Sequence, residues 1–187
     1  MNTQSSTSRT PRPNERIAPS KQRQIVAASL FLFAVALTAV VGSVSSIANI
    51  DGWYQTVEKV AWNPPNAIFG PAWTVLYVLI AIAGFLLWKS GYQGKGRRNE
   101  AAPALGLYVV QLALNFAWTP VFFAGYPLLG EAAWAVALAI IVLLAAVLIW
   151  LIALTVKHSR IAAGLLVPYL VWIIFASTLN AGILVLN

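Results

Sequence analysis

The sequence predicts an all-α membrane protein, a bundle of five transmembrane helices, and three observations predict it. Of 187 residues, 60% are hydrophobic and only 9% charged, against about 25% charged in an ordinary soluble domain. Five segments supply the roughly 20 mainly apolar residues that a helix needs to cross a bilayer. The alternation of polar and apolar residues that marks barrel strands is missing from the sequence.

Residues 1–23 are rich in Ser, Thr, Pro and Arg with little to bury, and read as a disordered, basic cytoplasmic tail ahead of a transmembrane domain at 24–187. Prolines at 11, 13 and 19 argue against the amphipathic helix of a transit peptide. The first span, 25–47, carries Ala34, Thr38, Gly42 and Ser46 at every fourth position. Such small residues let helices approach closely, and mark either internal packing or a dimer seam. In the following loop Trp53, Tyr54, Val57 and Val60 have near-helical spacing, which predicts a short interfacial helix. Its aromatics either anchor at the headgroups or cover a pocket. Pro64 and Pro65 forbid helix, and Asn66, or Gly70 with Pro71, suits the start of the second span, 69–88. The remaining spans are 104–123, 132–156 and 161–186, with Pro120 and Pro168 expected to bend the third and fifth.

A formal charge of +7 does not point to nucleic acid, because the basic residues cluster in particular loops. Arg9, Arg12, Arg16, Lys21 and Arg23 precede the first span, Lys89, Lys95, Arg97 and Arg98 follow the second, and Lys157 and Arg160 follow the fourth. Eleven of the twelve basic residues therefore fall on one side of a five-span chain. The positive-inside rule puts that side, and the N-terminus, in the cytoplasm and the C-terminus outside. The chain has no cysteine. Its one histidine, His158, sits between Lys157 and Arg160 in a short basic turn, which reads as solvated rather than metal-ligating. No Asp, Glu, Lys or Arg lies mid-span, so neither an ion relay nor paired-carboxylate catalysis has its usual players. An odd number of spans and the lack of an internal repeat argue against an inverted-repeat transporter.

Uncharged polar groups instead gather beside aromatics. Gln111, Asn115, Trp118 and Phe122 share one face of the third span; Tyr169, Trp172, Ala176 and Asn180 share one face of the fifth; Phe69, Trp73 and Tyr77 form a stripe on the second. Such groups are costly in lipid and must turn inward. There they either glue helices together or line a cavity suited to a flat, weakly polar ligand.

Three runs carry a resemblance: Trp62-Asn-Pro-Pro-Asn-Ala-Ile-Phe-Gly-Pro-Ala-Trp-Thr-Val-Leu-Tyr77, Gln111-Leu-Ala-Leu-Asn-Phe-Ala-Trp118 and Pro168-Tyr-Leu-Val-Trp-Ile-Ile-Phe-Ala-Ser-Thr-Leu-Asn180. From about residue 42 to 187 the chain resembles the TspO/MBR family, the tryptophan-rich sensory and translocator proteins, also called peripheral-type benzodiazepine receptors. The resemblance implies a five-helix bundle, a homodimer, in a membrane that is expected to be the bacterial cytoplasmic membrane. It implies a receptor or sensor for porphyrins, haem among them, and related tetrapyrroles, and for benzodiazepine-type ligands, with no obligatory cofactor and no metal. By motif, Trp73 and Asn115 would be the polar contacts, Pro64, Phe69, Tyr77, Trp118, Trp172 and Ala176 the walls, and Tyr54 part of a covering loop. Trp73 and Trp172 would be the oxidisable partners if the protein degrades bound porphyrin in light and oxygen; a tetrapyrrole or sterol carrier is a further alternative.

The chain also departs from the family pattern. Lys59-Val-Ala-Trp-Asn-Pro-Pro-Asn-Ala67 lacks two prolines and an aromatic that relatives often carry, and Trp134 and Ala135 stand where many have an acid. No basic residue follows Tyr169 to complete a sterol pattern there, whereas Leu87, Tyr92 and Lys95 meet it after the second span.

The charge distribution generates a direct test. Because the chain has no cysteine, single cysteines at Lys95 and Gln55 report cleanly. A membrane-impermeant maleimide is expected to label position 55 in intact cells and position 95 only after lysis; the reverse pattern inverts the orientation.

Overall fold

The computed structural model describes residues 18–92 and 98–187. Most of the expected tail, 1–17, and Lys95 of the sterol-like pattern lie outside the described residues.

Seven helices follow: α1 Lys21–Ile50, α2 Trp53–Thr56, α3 Asn66–Ser90, α4 Ala102–Phe123, α5 Tyr126–Leu129, α6 Glu131–Thr155 and α7 Arg160–Leu186. The five long ones are each long and apolar enough to cross a membrane, and no strand occurs among the described residues. Their limits follow local chemistry. The Ser20 and Ser159 hydroxyls accept from the backbone N–H of Arg23 and Ala162, capping α1 and α7. Pro65 caps α3, which begins at Asn66. Gly130, at φ +59°, makes the turn between α5 and α6 in a conformation that favours glycine. The interfacial helix of the first loop is one turn, so Trp53 and Tyr54 belong to it while Val57 and Val60 do not.

Around the bundle the spans stand in the order α1, α3, α7, α6, α4, with α4 returning to α1. In α6, Ala133, Ala137, Ile141, Leu144, Leu148 and Leu151 keep an inward stripe at helical spacing. Helix α1 is the most peripheral, and its Phe33, Leu37, Val40 and Val44 face outward, where lipid would lie. Lipid is as apolar as leucine, so close packing and internal hydrogen bonds hold such spans together. Several hydroxyls bond back to their own helix: Thr38 to Ala34, Ser45 to Val41, Thr74 to Gly70 and Thr178 to Phe175.

Part of the Ala34, Thr38, Gly42, Ser46 stripe packs inside the bundle. Thr38 and Gly42 are buried, and Gly42 stands over Thr119 of α4. The tighter approach is at Gly84. A Cβ there would lie 2.5 Å from Tyr108 Cζ and 2.7 Å from Phe31 Cδ1, whereas one at Gly42 would meet Thr119 Oγ1 at 3.4 Å. Tyr108 cannot easily retreat, because its hydroxyl donates to the Ile80 carbonyl at 2.9 Å and its ring stacks edge-on against Phe31. Gly84→Ala is therefore expected to destabilise the bundle by about 1 to 3 kcal/mol, the usual cost of overpacking. Gly42→Ala is expected to be nearly neutral. Thermal unfolding in one detergent checks the order; equal melting temperatures for the two variants would refute this packing.

Candidate ligand cavity

The bundle is hollow at the end where α1, α4 and α7 finish and α3 begins. A cavity of about 350 Å³ lies there, within the size range of small-molecule sites. Helix α3 contributes Phe69, Trp73 and Tyr77; α4 contributes Trp118, Thr119 and Phe122; α7 contributes Trp172, Ala176 and Asn180; Tyr54 of α2 closes the end. Exposed Ser43 and Ile47 on α1, with exposed Asn66, Gly70 and Thr74 on α3, also border it, so it opens sideways between those helices.

Ring packing explains why the space persists. Trp73 stacks on Tyr77 at 5.2 Å and meets Trp172 edge-on at 6.3 Å, while Phe69 meets Trp172 edge-on at 6.0 Å. On the facing wall Trp118 stacks on Phe122 at 5.6 Å. Stiff rings braced edge to face hold their positions where flexible aliphatic chains would fold into the gap.

Hydrogen bonds fix the walls from behind. Asn115 is buried and donates to the Tyr169 hydroxyl, and the Tyr77 hydroxyl donates to Asn115 Oδ1 at 3.4 Å, so one amide joins α3, α4 and α7. Asn180 is a second junction: Trp118 Nε1 donates to its Oδ1 at 3.3 Å, and its Nδ2 donates to the Trp134 carbonyl at 3.0 Å. Among the described residues the buried Trp172 indole N–H has no hydrogen-bond partner. Trp172 forms part of the wall, while this nitrogen itself exposes almost no surface. The Gln111 amide, also without a partner among the described residues, is fully buried and not part of the lining.

The first loop lies over the cavity as a lid. Trp53 Nε1 donates to the Phe123 carbonyl at 3.0 Å, and the ring packs against Tyr126 and Trp134. The Tyr54 hydroxyl donates to Asn63 Oδ1 at 3.4 Å. Burial pushes the Tyr54 pKa above the phenolic range, with the Asn63 hydrogen bond working the other way, so the hydroxyl stays protonated at neutral pH. On the far side the lid is tied to α7. The Asn187 side chain accepts from Glu58 N–H at 2.8 Å and donates to the Glu58 carbonyl at 3.1 Å, copying a backbone pairing. Trp62 Nε1 donates to Thr178 Oγ1 at 3.2 Å, and Val60 presses on Gly182, where any Cβ would collide with it.

Of the residues singled out in sequence, Tyr54, Phe69, Trp73, Tyr77, Trp118, Trp172 and Ala176 border one cavity. Pro64 and Asn115 do not: Pro64 belongs to the rigid lead into α3, and Asn115 stands behind the wall with its amide occupied. Sequence reading left out Asn180 as a lining residue, although it shares the Trp172 and Ala176 face, and gave no sign of Ser43 or Ile47 on α1.

Comparison with known proteins matches this arrangement to one family. Residues 30–186 match the TspO/MBR family. The chain belongs to the TspO/MBR family. It is 38% identical over 164 residues to the tryptophan-rich protein TspO of Archaeoglobus fulgidus, covering 88% of this chain and 97% of that one. It is 39% identical over 131 residues to the translocator protein of Homo sapiens, covering 68% and 70%, and 33% identical over 162 residues to protein CrtK of Rhodobacter capsulatus, covering 85% and 94%. The tryptophans that give some TspO relatives their name concentrate here at one end of the bundle: Trp73, Trp118 and Trp172 in the wall, Trp53 of the lid packed on Trp134, and Trp62 in the tie of the lid to α7.

The tie predicts a local effect. Asn187→Ala removes both bonds to Glu58, each worth about 0.5 to 1.5 kcal/mol, and is expected to speed hydrogen exchange of the lid amides by roughly tenfold while α6 amides keep their protection. Unchanged exchange at Glu58 would show that the tie does not hold the lid.

Proposed function

We propose that this TspO/MBR membrane protein is a receptor or sensor that takes porphyrins and related tetrapyrroles, and benzodiazepine-type ligands, into the aromatic cavity. The observation that carries the reading is a lining of three indoles with no carboxylate or ammonium group, one indole N–H being without a partner among the described residues. A flat, largely apolar ring system gains by stacking on the indoles, and a turn of the Trp172 ring would bring its unpartnered N–H to an acceptor of that ligand. The opening between α1 and α3 suits a ligand that partitions into lipid. The cytoplasmic N-terminus fits this reading: Lys21, Arg23, Lys89, Arg98, Lys157 and Arg160 all stand at the end opposite the cavity, so the lid faces outward.

A second reading, degradation of bound porphyrin in light and oxygen, is favoured by one observation. Trp73 and Trp172, the two candidate oxidisable residues, stand 6.3 Å apart on the same wall.

Titration with protoporphyrin is expected to quench tryptophan fluorescence saturably. Trp172→Phe keeps a ring and removes the donor, so it is expected to weaken binding by roughly 1 to 3 kcal/mol, about five- to a hundred-fold. Trp88→Phe, at the opposite end of α3, is expected to bind as wild type. Equal affinity in both folded variants would place the ligand elsewhere. Repeating the titration in aerobic light separates the readings: a product spectrum that requires Trp73 and Trp172 favours degradation, and an unchanged Soret band favours binding alone.

A further inference from the structure

A shallow groove runs between α3 and α7 on the outside of the bundle. Its origin is a difference between the two faces of one helix pair. On the inner face the helices meet through rings, with Phe69 and Trp73 against Trp172 and Trp73 against Tyr169. On the outer face the opposing residues are short: Pro71, Ala72 and Val75 on one side, Pro168 and Val171 on the other. The rings hold the two backbones apart, and the short side chains do not reach across.

One residue belongs to both spaces. Of the described residues that line the groove, Trp172 alone also borders the internal cavity, so a single indole stands between the two. Ring packing holds it in place. Phe69 at 6.0 Å, Trp73 at 6.3 Å and Phe175 at 5.6 Å surround it, and its N–H has no hydrogen-bond partner among the described residues.

The chemistry and depth of the groove decide what fills it. Its lining is apolar apart from the Trp172 nitrogen, which exposes almost no surface, so a headgroup or a polar ligand finds no partner there. The α3 positions run from Pro71 to Leu79, about 8 to 20 Å along the helix from its start at Asn66. In a membrane-spanning helix that is hydrocarbon depth. A void at that depth would forfeit the dispersion contacts of its walls, so the groove is filled. Packed helices stand about 8 to 10 Å apart, and the slot between them admits a single acyl chain but not a third helix, itself about 10 to 12 Å across.

We propose that the α3/α7 groove is a site for one acyl chain of a bilayer phospholipid, which packs on the back of Trp172 and so braces the cavity wall from outside. The inference does not depend on which ligand the cavity takes.

Contact with brominated acyl chains quenches tryptophan fluorescence, and the test uses the full chain in nanodiscs of phosphatidylcholine brominated at mid-chain. Trp62→Phe and Trp150→Phe first remove the two exposed tryptophans, at 59% and 61%. Trp172→Phe in that background then isolates the Trp172 share of the emission, which is expected to be strongly quenched. Val75→Phe fills the groove from an exposed position outside the cavity lining, and is expected to restore most of that emission with the melting temperature unchanged. Val171→Phe, on the opposite side of the groove, is expected to do the same and serves if Val75→Phe does not fold. An unquenched Trp172 would mean that protein, a second copy included, covers the groove, and would overturn the proposal. Quenching that survives both fillings would mean that lipid reaches Trp172 without a seat in the groove, and overturns it as well.

Discussion

The structure depends on one constraint: a polar group inside a bilayer must find its partner within the protein. Asn115 shows the consequence most clearly. By bonding both Tyr77 and Tyr169 it fixes α3, α4 and α7 at one point. Asn180 does the same for α4, α6 and α7, and Tyr108 ties α4 to α3. Each bond is modest by itself, but leaving its groups unpaired in hydrocarbon is costly, so the junctions specify which helices meet and at what height. Three helices pinned in this way can border an open space without closing on it.

The two ends of the bundle use different side chains for different ends. Around Leu87, Ala104, Leu148, Leu151, Ala162 and Leu166, aliphatic chains interdigitate and leave almost no exposed area. Leucine and alanine reach native packing density because their shapes adjust to neighbours. At the other end Trp73, Trp118, Trp172, Phe69 and Phe122 bring flat plates that touch edge to face. Plates in that arrangement brace one another and leave room between them. The hollow is thus a consequence of residue choice, and the polar junctions behind the plates keep them from shifting.

Much of this was legible in the chain. Hydropathy placed all five spans within a few residues, because length and apolar composition alone decide them. The inward faces of α3, α4 and α7 followed from helical spacing, since the Gln111, Asn115, Trp118, Phe122 set and its counterparts do turn inward. Distance along a face was less informative than its direction. Asn115 and Trp118 share a stripe, yet only the indole reaches the cavity, because the amide is taken up by two tyrosines from other helices. Pairings of that kind depend on how neighbouring spans are raised or lowered against each other, which periodicity in one helix does not encode. The same limit hid Ser43 and Ile47, whose part in the wall arises from where α1 stops touching α3. It also hid Asn187, whose bonds to Glu58 join residues 129 positions apart in the chain.

The lid belongs to a different energetic regime from the wall it covers. Its ties to the bundle are few and separate, two bonds at Asn187, one at Trp62 and one at Trp53, and several of them are exposed to water, which competes for the same groups. The loop holds no long helix to unfold, only one turn at Trp53–Thr56. Releasing the Asn187 and Trp62 bonds frees the half of the loop over α7 and leaves Trp53 seated among Tyr126 and Trp134. Such an opening costs a small part of what separating α3 from α7 would cost, because no junction in the bundle has to break. The hold on the lid and the stability of the bundle therefore depend on different residues, and the cavity can be uncovered while its aromatic walls keep their shape.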